Sequence, residues 1–257
     1  MVTRGLVECR VLGPLRVDRG GVEVPVAGQV AGRVLAALST AAGVPMADGV
    51  LAEVVWGDEL PGQVAHSLRV AVSRLRGKLG TDCVLRTSGG YAISIPAERV
   101  DHHRFAESVG RGLRCQRDGD AAGAVRAFEG ALGLWRGRPW PELGESSEVV
   151  TLARMRLEEL RLVAVEELQA ARLVIGDFGT AIAALRGAVA ETPYRERRWE
   201  LLATGLCLIG QPARARSELL RIRHLLAEDL GIDPGPALRS LEHRIQTTRP
   251  QPTWRWR

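Results

Sequence analysis

The chain has 257 residues, of which 46% are hydrophobic and 25% charged, enough for two ordinary domains with real cores. Its formal net charge of +5, supplied by arginine apart from the single lysine Lys78, suits a nucleic-acid partner without requiring one. Cys9, Cys83, Cys115 and Cys207 are scattered with no C-x-x-C, and no 18-residue apolar run or signal peptide is present, so a disulfide framework, a zinc site and a membrane span are not expected.

Residues 6–12, 15–18 and 22–26 read as short strands, punctuated by Gly13-Pro14 and Arg19-Gly20-Gly21, and imply an antiparallel sheet. Gln29 to Ala42 reads as a helix with Val34, Leu35 and Leu38 inward, broken by Gly43-Val44-Pro45. A second helix, Ala47 to Val55, places Val50, Leu51, Val54 and Val55 inward and ends at Trp56-Gly57, with Trp56 read as a core anchor. The loop Gly57, Asp58, Glu59, Leu60, Pro61 and Gly62 follows.

From Pro61 to Gly80 the pattern is helical. Leu68, Val72, Leu75 and Leu79 fall on one narrow apolar stripe, and His66, Val70, Ser73 and Gly77 lie opposite, flanked by Arg69 and Arg74. Small and polar residues between arginines suit a helix in a DNA major groove: the backbone approaches closely, arginines reach guanine edges or phosphates, and a valine meets a thymine methyl. The same face also reads as an ordinary solvated basic surface. Arg76 and Lys78 lie nearer the stripe, where Arg76 also suits packing or an ion pair. Two β-rich runs, 83–87 and 91–95, are joined by Ser88-Gly89-Gly90, a hairpin signal. Helix then hairpin is the order of a winged helix-turn-helix. Between Gly62 and Gly90 five positive side chains face Asp82 alone, a plausible footprint for phosphates.

His102 and His103 are adjacent and are expected to point to different sides, which argues against a metal role. In the second half, Gly119-Asp120, Gly176-Asp177 and Gly210-Gln211 each open a helical stretch. Ala124, Ala181 and Ala215 stand five residues after the glycines, Phe128, Leu185 and Leu219 nine after, and Ala131, Ala188 and Ile222 twelve after. The last two glycines are 34 apart, the tetratricopeptide period, so an irregular helical-repeat module is expected. Residues 248–257, ending Trp254-Arg255-Trp256-Arg257, read as a solvated, disordered tail.

These motifs carry a resemblance. The strands, Trp56-Gly57, Ser73–Arg76, Leu79-Gly80 and the Gly90-Tyr91 hairpin resemble the OmpR/PhoB-type winged helix. LGLWRGRPW (132–140), LEELRLVAVEE (157–167), ETPYRERRWELL (191–202) and the 225–245 stretch resemble the bacterial transcriptional activator domain. The combination is similar to the short form of the Streptomyces antibiotic regulatory protein family. It implies a mostly α protein with a small β part: a winged helix over 1–97, an all-α tetratricopeptide-like domain over 98–247 and the tail.

The resemblance further implies DNA contacts at Arg33, His66, Ser67, Arg69, Val70, Ser73, Arg74, Arg76, Lys78, Arg86 and Thr87. RNA polymerase or its sigma factor would meet the loop Gly57, Asp58, Glu59, Leu60 and Pro61. The expected activity is activation of transcription at promoter direct repeats, for a secondary-metabolite gene cluster, by copies associating on double-stranded DNA. No enzyme activity, cofactor or metal is expected, and the location is cytoplasmic, at the nucleoid. The rival readings are an interaction scaffold with impaired DNA binding and a repressor with the same contacts. His66 stands where relatives often have Asn. Ala31 and Gly32 replace usual phosphate-contacting residues, which predicts weaker DNA affinity, and Ala47 replaces a usual helix cap unless Asp48 serves. Neither a receiver domain before residue 6 nor a G-x-x-x-x-G-K-[ST] nucleotide-binding motif after the repeats is found.

Overall fold

The computed structural model describes residues 6–26, 30–41, 43–145 and 147–247; the tail 248–257 and both ends expected for the first helix, Gln29 and Ala42, lie outside the described residues. The chain packs as two compact units, Met1–Arg111 with Ala127–Ala164, and Gly112–Arg126 with Val165–Arg257.

The first unit opens with three antiparallel strands in the order β1 (Val7–Arg10), β2 (Arg16–Arg19) and β3 (Val22–Glu23), with Cys9 opposite Val17 and Asp18 opposite Glu23. They are shorter than the apolar runs suggest. Beyond β1 the backbone turns through Gly13 at φ +137°, and beyond β3 Pro25 has no N–H to continue a ladder. Helices α1 (Val30–Thr40), α2 (Asp48–Trp56) and α3 (Val64–Leu79) follow. Leu51, Val54 and Val55 of α2 are buried, but Val50 is 38% exposed, because it sits about 90° off that stripe. The predicted α3 stripe of Leu68, Val72, Leu75 and Leu79 is buried throughout. The helix starts at Val64, since Gly62 and Gln63 form a turn.

Strands β4 (Val84–Thr87) and β5 (Gly90–Ile93) form the hairpin, with Thr87 paired to Gly90 across a two-residue turn. Gly90 therefore belongs to the strand. Its φ is +124°, and a Cβ there would stand 1.9 Å from the Met46 carbonyl oxygen. That close approach exists because Met46 N–H donates to Tyr91 O at 2.8 Å and Tyr91 N–H donates to Met46 O at 3.0 Å. The bridge ties the wing to the chain just before α2.

The helices that follow are α4 (Asp101–Arg117), α5 (Ala121–Leu132) and the long α6 (Glu148–Val174). Their N-terminal-unit parts clasp β1 and α1. The Asp101 carboxylate accepts from the N–H groups of Val11 and Leu12 at 2.8 and 3.1 Å. In the loop before α6, Arg136 N–H donates to Leu12 O and Trp140 N–H to Val11 O. Trp140 is fully buried and its indole N–H donates to Ser39 Oγ at 2.8 Å. Arg154 holds this loop, donating to the carbonyls of Pro139, Trp140, Leu143 and Gly144. This second cover explains why α1 is apolar nearly all round. Ala31 and Gly32 are both buried in that packed face.

His102 and His103 do not diverge. Their ring centroids lie 4.0 Å apart, and the buried His102 Nε2–H donates to Ser39 O at 3.0 Å. Burial, with His103 beside it, pushes the His102 pKa down to about 4.

In the second unit the glycine turns have one chemistry. Gly119, Gly176 and Gly210 all have positive φ, and the N–H of the next residue reaches back five residues, as in Asp177 N–H to Arg172 O at 2.9 Å. This is the helix-terminating Schellman pattern. Helices α7 (Phe178–Glu191), α8 (Glu196–Leu208), α9 (Pro212–Leu230) and α10 (Pro236–Thr247) complete the unit. Ala181, Leu185, Ala215, Leu219 and Ile222 enter its core with Trp199, Leu202, Leu238 and Leu241. All nine repeat positions named from the sequence are buried. Gly205 also lies at a helix crossing, where a Cβ would stand 3.0 Å from Leu173 Cδ2.

Candidate nucleic-acid interface

Burying its leucine stripe fixes what α3 shows to solvent. His66, Arg69, Ser73, Arg74 and Gly77 are exposed, and Ser67 and Val70 are half-buried beside them. Arg69 and Arg74 make no hydrogen bond or ion pair among the described residues. Gly77 has open space where a Cβ would be. A shallow groove of about 290 Å³ runs along this face, lined by Val30, Trp56, His66, Ser67, Val70, Ala71 and Arg74. Trp56 is half-buried and forms part of that wall, rather than being the enclosed anchor expected of it.

The remaining basic residues have intramolecular work. Arg76 donates from Nε and Nη2 to Val84 O at 3.0 and 2.8 Å, joining α3 to the first wing strand. Lys78 Nζ donates to Pro25 O at 2.5 Å, while its own carbonyl accepts from Arg19. Arg33 Nε donates to Glu142 O at 3.2 Å, which turns it toward the loop before α6. Glu142 also accepts from Leu15 N–H, through Oε1 at 2.5 Å.

On the wing, Thr87 Oγ1 accepts from Gly89 N–H and donates to Gly90 O, so it shapes the turn. Arg86 is exposed, donates to Asp48 and stacks over Tyr91. Hydrogen bonding to Asp48 pushes the Arg86 pKa further up. Asp48 itself does not cap α2: Ala47 is the N-cap and no side chain bonds there. The loop after α2 turns through Gly57 at φ +59°, then exposes Asp58, Glu59 and Leu60, with Pro61 half-buried.

The structure thus gathers His66, Ser67, Arg69, Val70, Ser73 and Arg74 on one face, places Arg86 and Thr87 on the wing, and engages Arg33, Arg76 and Lys78 internally. Sequence reasoning missed Asp48 as a partner of Arg86 and Glu142 as the residue facing Arg33. Separations of 38 and 109 residues leave no periodic signal for either pair. Among the described residues no cluster of three or more His, Cys, Asp or Glu is placed to hold a metal, and no helix is long and apolar enough to cross a membrane.

The arginines clustered between Arg195 and Arg223 are largely paired. Glu166, buried, accepts from Arg195 and Arg198; Arg197 pairs with Glu167 and Glu200, Arg221 with Glu218 and Arg223 with Glu242.

Comparison with known proteins gives this arrangement its relatives. The bacterial transcriptional activator domain model matches residues 100–246. The chain is 33% identical to the regulatory protein AfsR of Streptomyces griseus over 91% of this chain and 24% of AfsR, so it spans about a quarter of that relative. It is 33% identical to the transcriptional regulator RedD of Streptomyces coelicolor, over 96% of this chain and 72% of RedD. The solved structure of Mycobacterium tuberculosis EmbR in complex with a low-affinity phosphopeptide superposes with a TM-score of 0.87 at 30% identity, covering 96% of this chain and 66% of that one. An activator-domain match over more than half the chain, and a relative such as RedD aligned through both halves, place this protein in the Streptomyces antibiotic regulatory protein family.

Proposed function

We propose that the protein is a sequence-specific DNA-binding activator of transcription, rather than an enzyme, acting at promoters of a secondary-metabolite gene cluster. The observation that carries this reading is the outward face of α3, where exposed Arg69 and Arg74 flank Ser73 and lie beside half-buried Val70. Such a face reads base edges with small side chains and reaches phosphates with unengaged guanidiniums. The wing adds a second point of attachment to the backbone. One copy reads one half-site, and a second copy binds about one helical turn along, head to tail. The exposed Asp58–Leu60 loop offers RNA polymerase a contact point, with the helical repeats as a further protein-binding surface.

Selection from a randomised duplex library with the full-length protein tests this. Enrichment of direct repeats spaced near one helical turn is the expected result. Inverted repeats would overturn the head-to-tail arrangement. No enrichment at low salt would overturn DNA binding and favour the scaffold reading, toward which the engagement of Arg33 by Glu142 points. Transcription output from a promoter bearing the selected site separates activator from repressor.

A further inference from the structure

Arg86 stands on β4, yet its guanidinium reaches the first turn of α2. Nη1 donates to Asp48 Oδ1 at 2.5 Å, and Cζ lies 4.5 Å above the centre of the Tyr91 ring. Both partners keep solvent access, with side chains 51% and 35% exposed. The Met46–Tyr91 bridge makes the pair possible, because it sets the start of α2 beside the wing. Asp48 has no capping bond to make, so its carboxylate is available to Arg86.

An exposed ion pair of this kind is weak in water, and a phosphodiester offers the same charge-assisted hydrogen bonding as a carboxylate. The two therefore compete for one guanidinium. An arginine that keeps its carboxylate on DNA neutralises no phosphate and releases no counterion, whereas one that exchanges partners does both. The ring of Tyr91 stays under the guanidinium in either case and limits how far it travels.

Resting on the DNA-binding reading above, we propose that Asp48 is a positioning residue that governs how much Arg86 adds to duplex binding. It holds the guanidinium over Tyr91 and cancels its charge, so the wing grips a phosphate only when the phosphate displaces Asp48. The wing arginine is thereby restrained against non-specific duplex, where no aligned phosphate displaces the carboxylate.

The test is a double-mutant cycle on the full-length protein. Anisotropy titrations against a selected duplex and a scrambled one, over a salt series, compare wild type, Asp48→Asn, Arg86→Ala and the double variant. Glu53→Gln removes the same charge from an exposed position on the same helix and serves as control. Asp48→Asn is expected to tighten scrambled-duplex binding roughly 3- to 10-fold at low salt and to steepen the salt slope by about 0.9, one phosphate's worth. Both gains disappear in the Arg86→Ala background, while Glu53→Gln gives a smaller gain that Arg86→Ala leaves unchanged. Asp48→Ser supplies the same reading if Asp48→Asn folds poorly. A gain that persists without Arg86, or no gain from either Asp48 variant, overturns the proposal while leaving DNA binding intact. A wild-type protein that binds neither duplex overturns both.

Discussion

Arg69 and Arg76 sit seven positions apart on the same helix and are expected to respond differently to truncation. Arg76 spends two donors on Val84 O, so Arg76→Ala should cost about 2 kcal/mol in urea unfolding by leaving that carbonyl unpaired. Arg69 makes no such bond; Arg69→Ala should leave stability within about 0.5 kcal/mol while flattening the salt slope of duplex binding by about 0.9. Helical angle set Arg69 beside the outward face and Arg76 nearer the apolar stripe, and only the family resemblance counted both as DNA contacts. Angle identifies which side chains avoid the core, but it is blind to a strand carbonyl arriving eight residues later. His102 gives a pH signature. Its pKa falls from an ordinary 6.5 to about 4 because burial disfavours the imidazolium, so in the folded state the ring stays neutral. Between those values the unfolded chain binds the extra proton, and stability drops as pH falls from about 6.5 toward 4, by about 3 kcal/mol in all. Asp101, whose carboxyl is pushed up by burial, works in the opposite sense at the acid end. Urea unfolding at several pH values should show a shallower decline for His102→Gln, which can still donate to Ser39 O.

Among the elements, the wing shows how one glycine decides geometry. Gly90→Ala would drive a Cβ into Met46 O from a positive-φ position, so it should cost well over 2 kcal/mol and detach the wing from the start of α2. Gly89→Ala meets only side chains at ordinary contact distance, Pro45 Cβ at 3.4 Å and Thr87 Oγ1 at 3.8 Å, and should be tolerated; thermal unfolding of the pair of variants checks the contrast. The hairpin and its turn were legible because strand propensity and paired glycines announce them. Which glycine the fold cannot replace was not, since that depends on Met46, far outside the turn. The repeat helices were legible for a similar reason: the Gly, Ala and large apolar spacings reflect a turn and a close crossing that recur. By contrast, the loop carrying Trp140 has no periodicity, and nothing local shows that it covers α1. Trp140→Ala should cost about 3–5 kcal/mol, the usual penalty for emptying a buried tryptophan site, and should release Ser39 Oγ from its indole donor.

For the whole molecule, the mild positive charge is distributed by pairing more than by sequence position. Arginines cluster between 195 and 223 in the second unit, yet Glu166, Glu167, Glu200, Glu218 and Glu242 take up five of them. Those carboxylates lie in part outside the window in which the arginines cluster, so a local charge count would overstate the free positive charge. The unexpected weight falls on Glu166, buried between two guanidiniums. Glu166→Ala would strand Arg198 in the core and should destabilise the second unit by about 3–5 kcal/mol. The fold class, mostly α with a small β part, was readable from motifs. That residues 127–164 pack with the N-terminal unit was not, because Asp101, Arg136 and Trp140 act through backbone groups of Val11 and Leu12 that have no sequence signature.

The central claim is that the outward face of α3 is a DNA-reading surface. Its most direct test is the affinity of the full-length protein for a library-selected duplex across a salt series, compared with the Arg69→Ala/Arg74→Ala variant. The account predicts salt-dependent binding by wild type, with a slope flattened by about 1.8 in a variant that unfolds at the wild-type temperature. Binding of equal strength and equal salt dependence by both proteins would contradict it, as would failure of the wild type to bind any duplex at low salt.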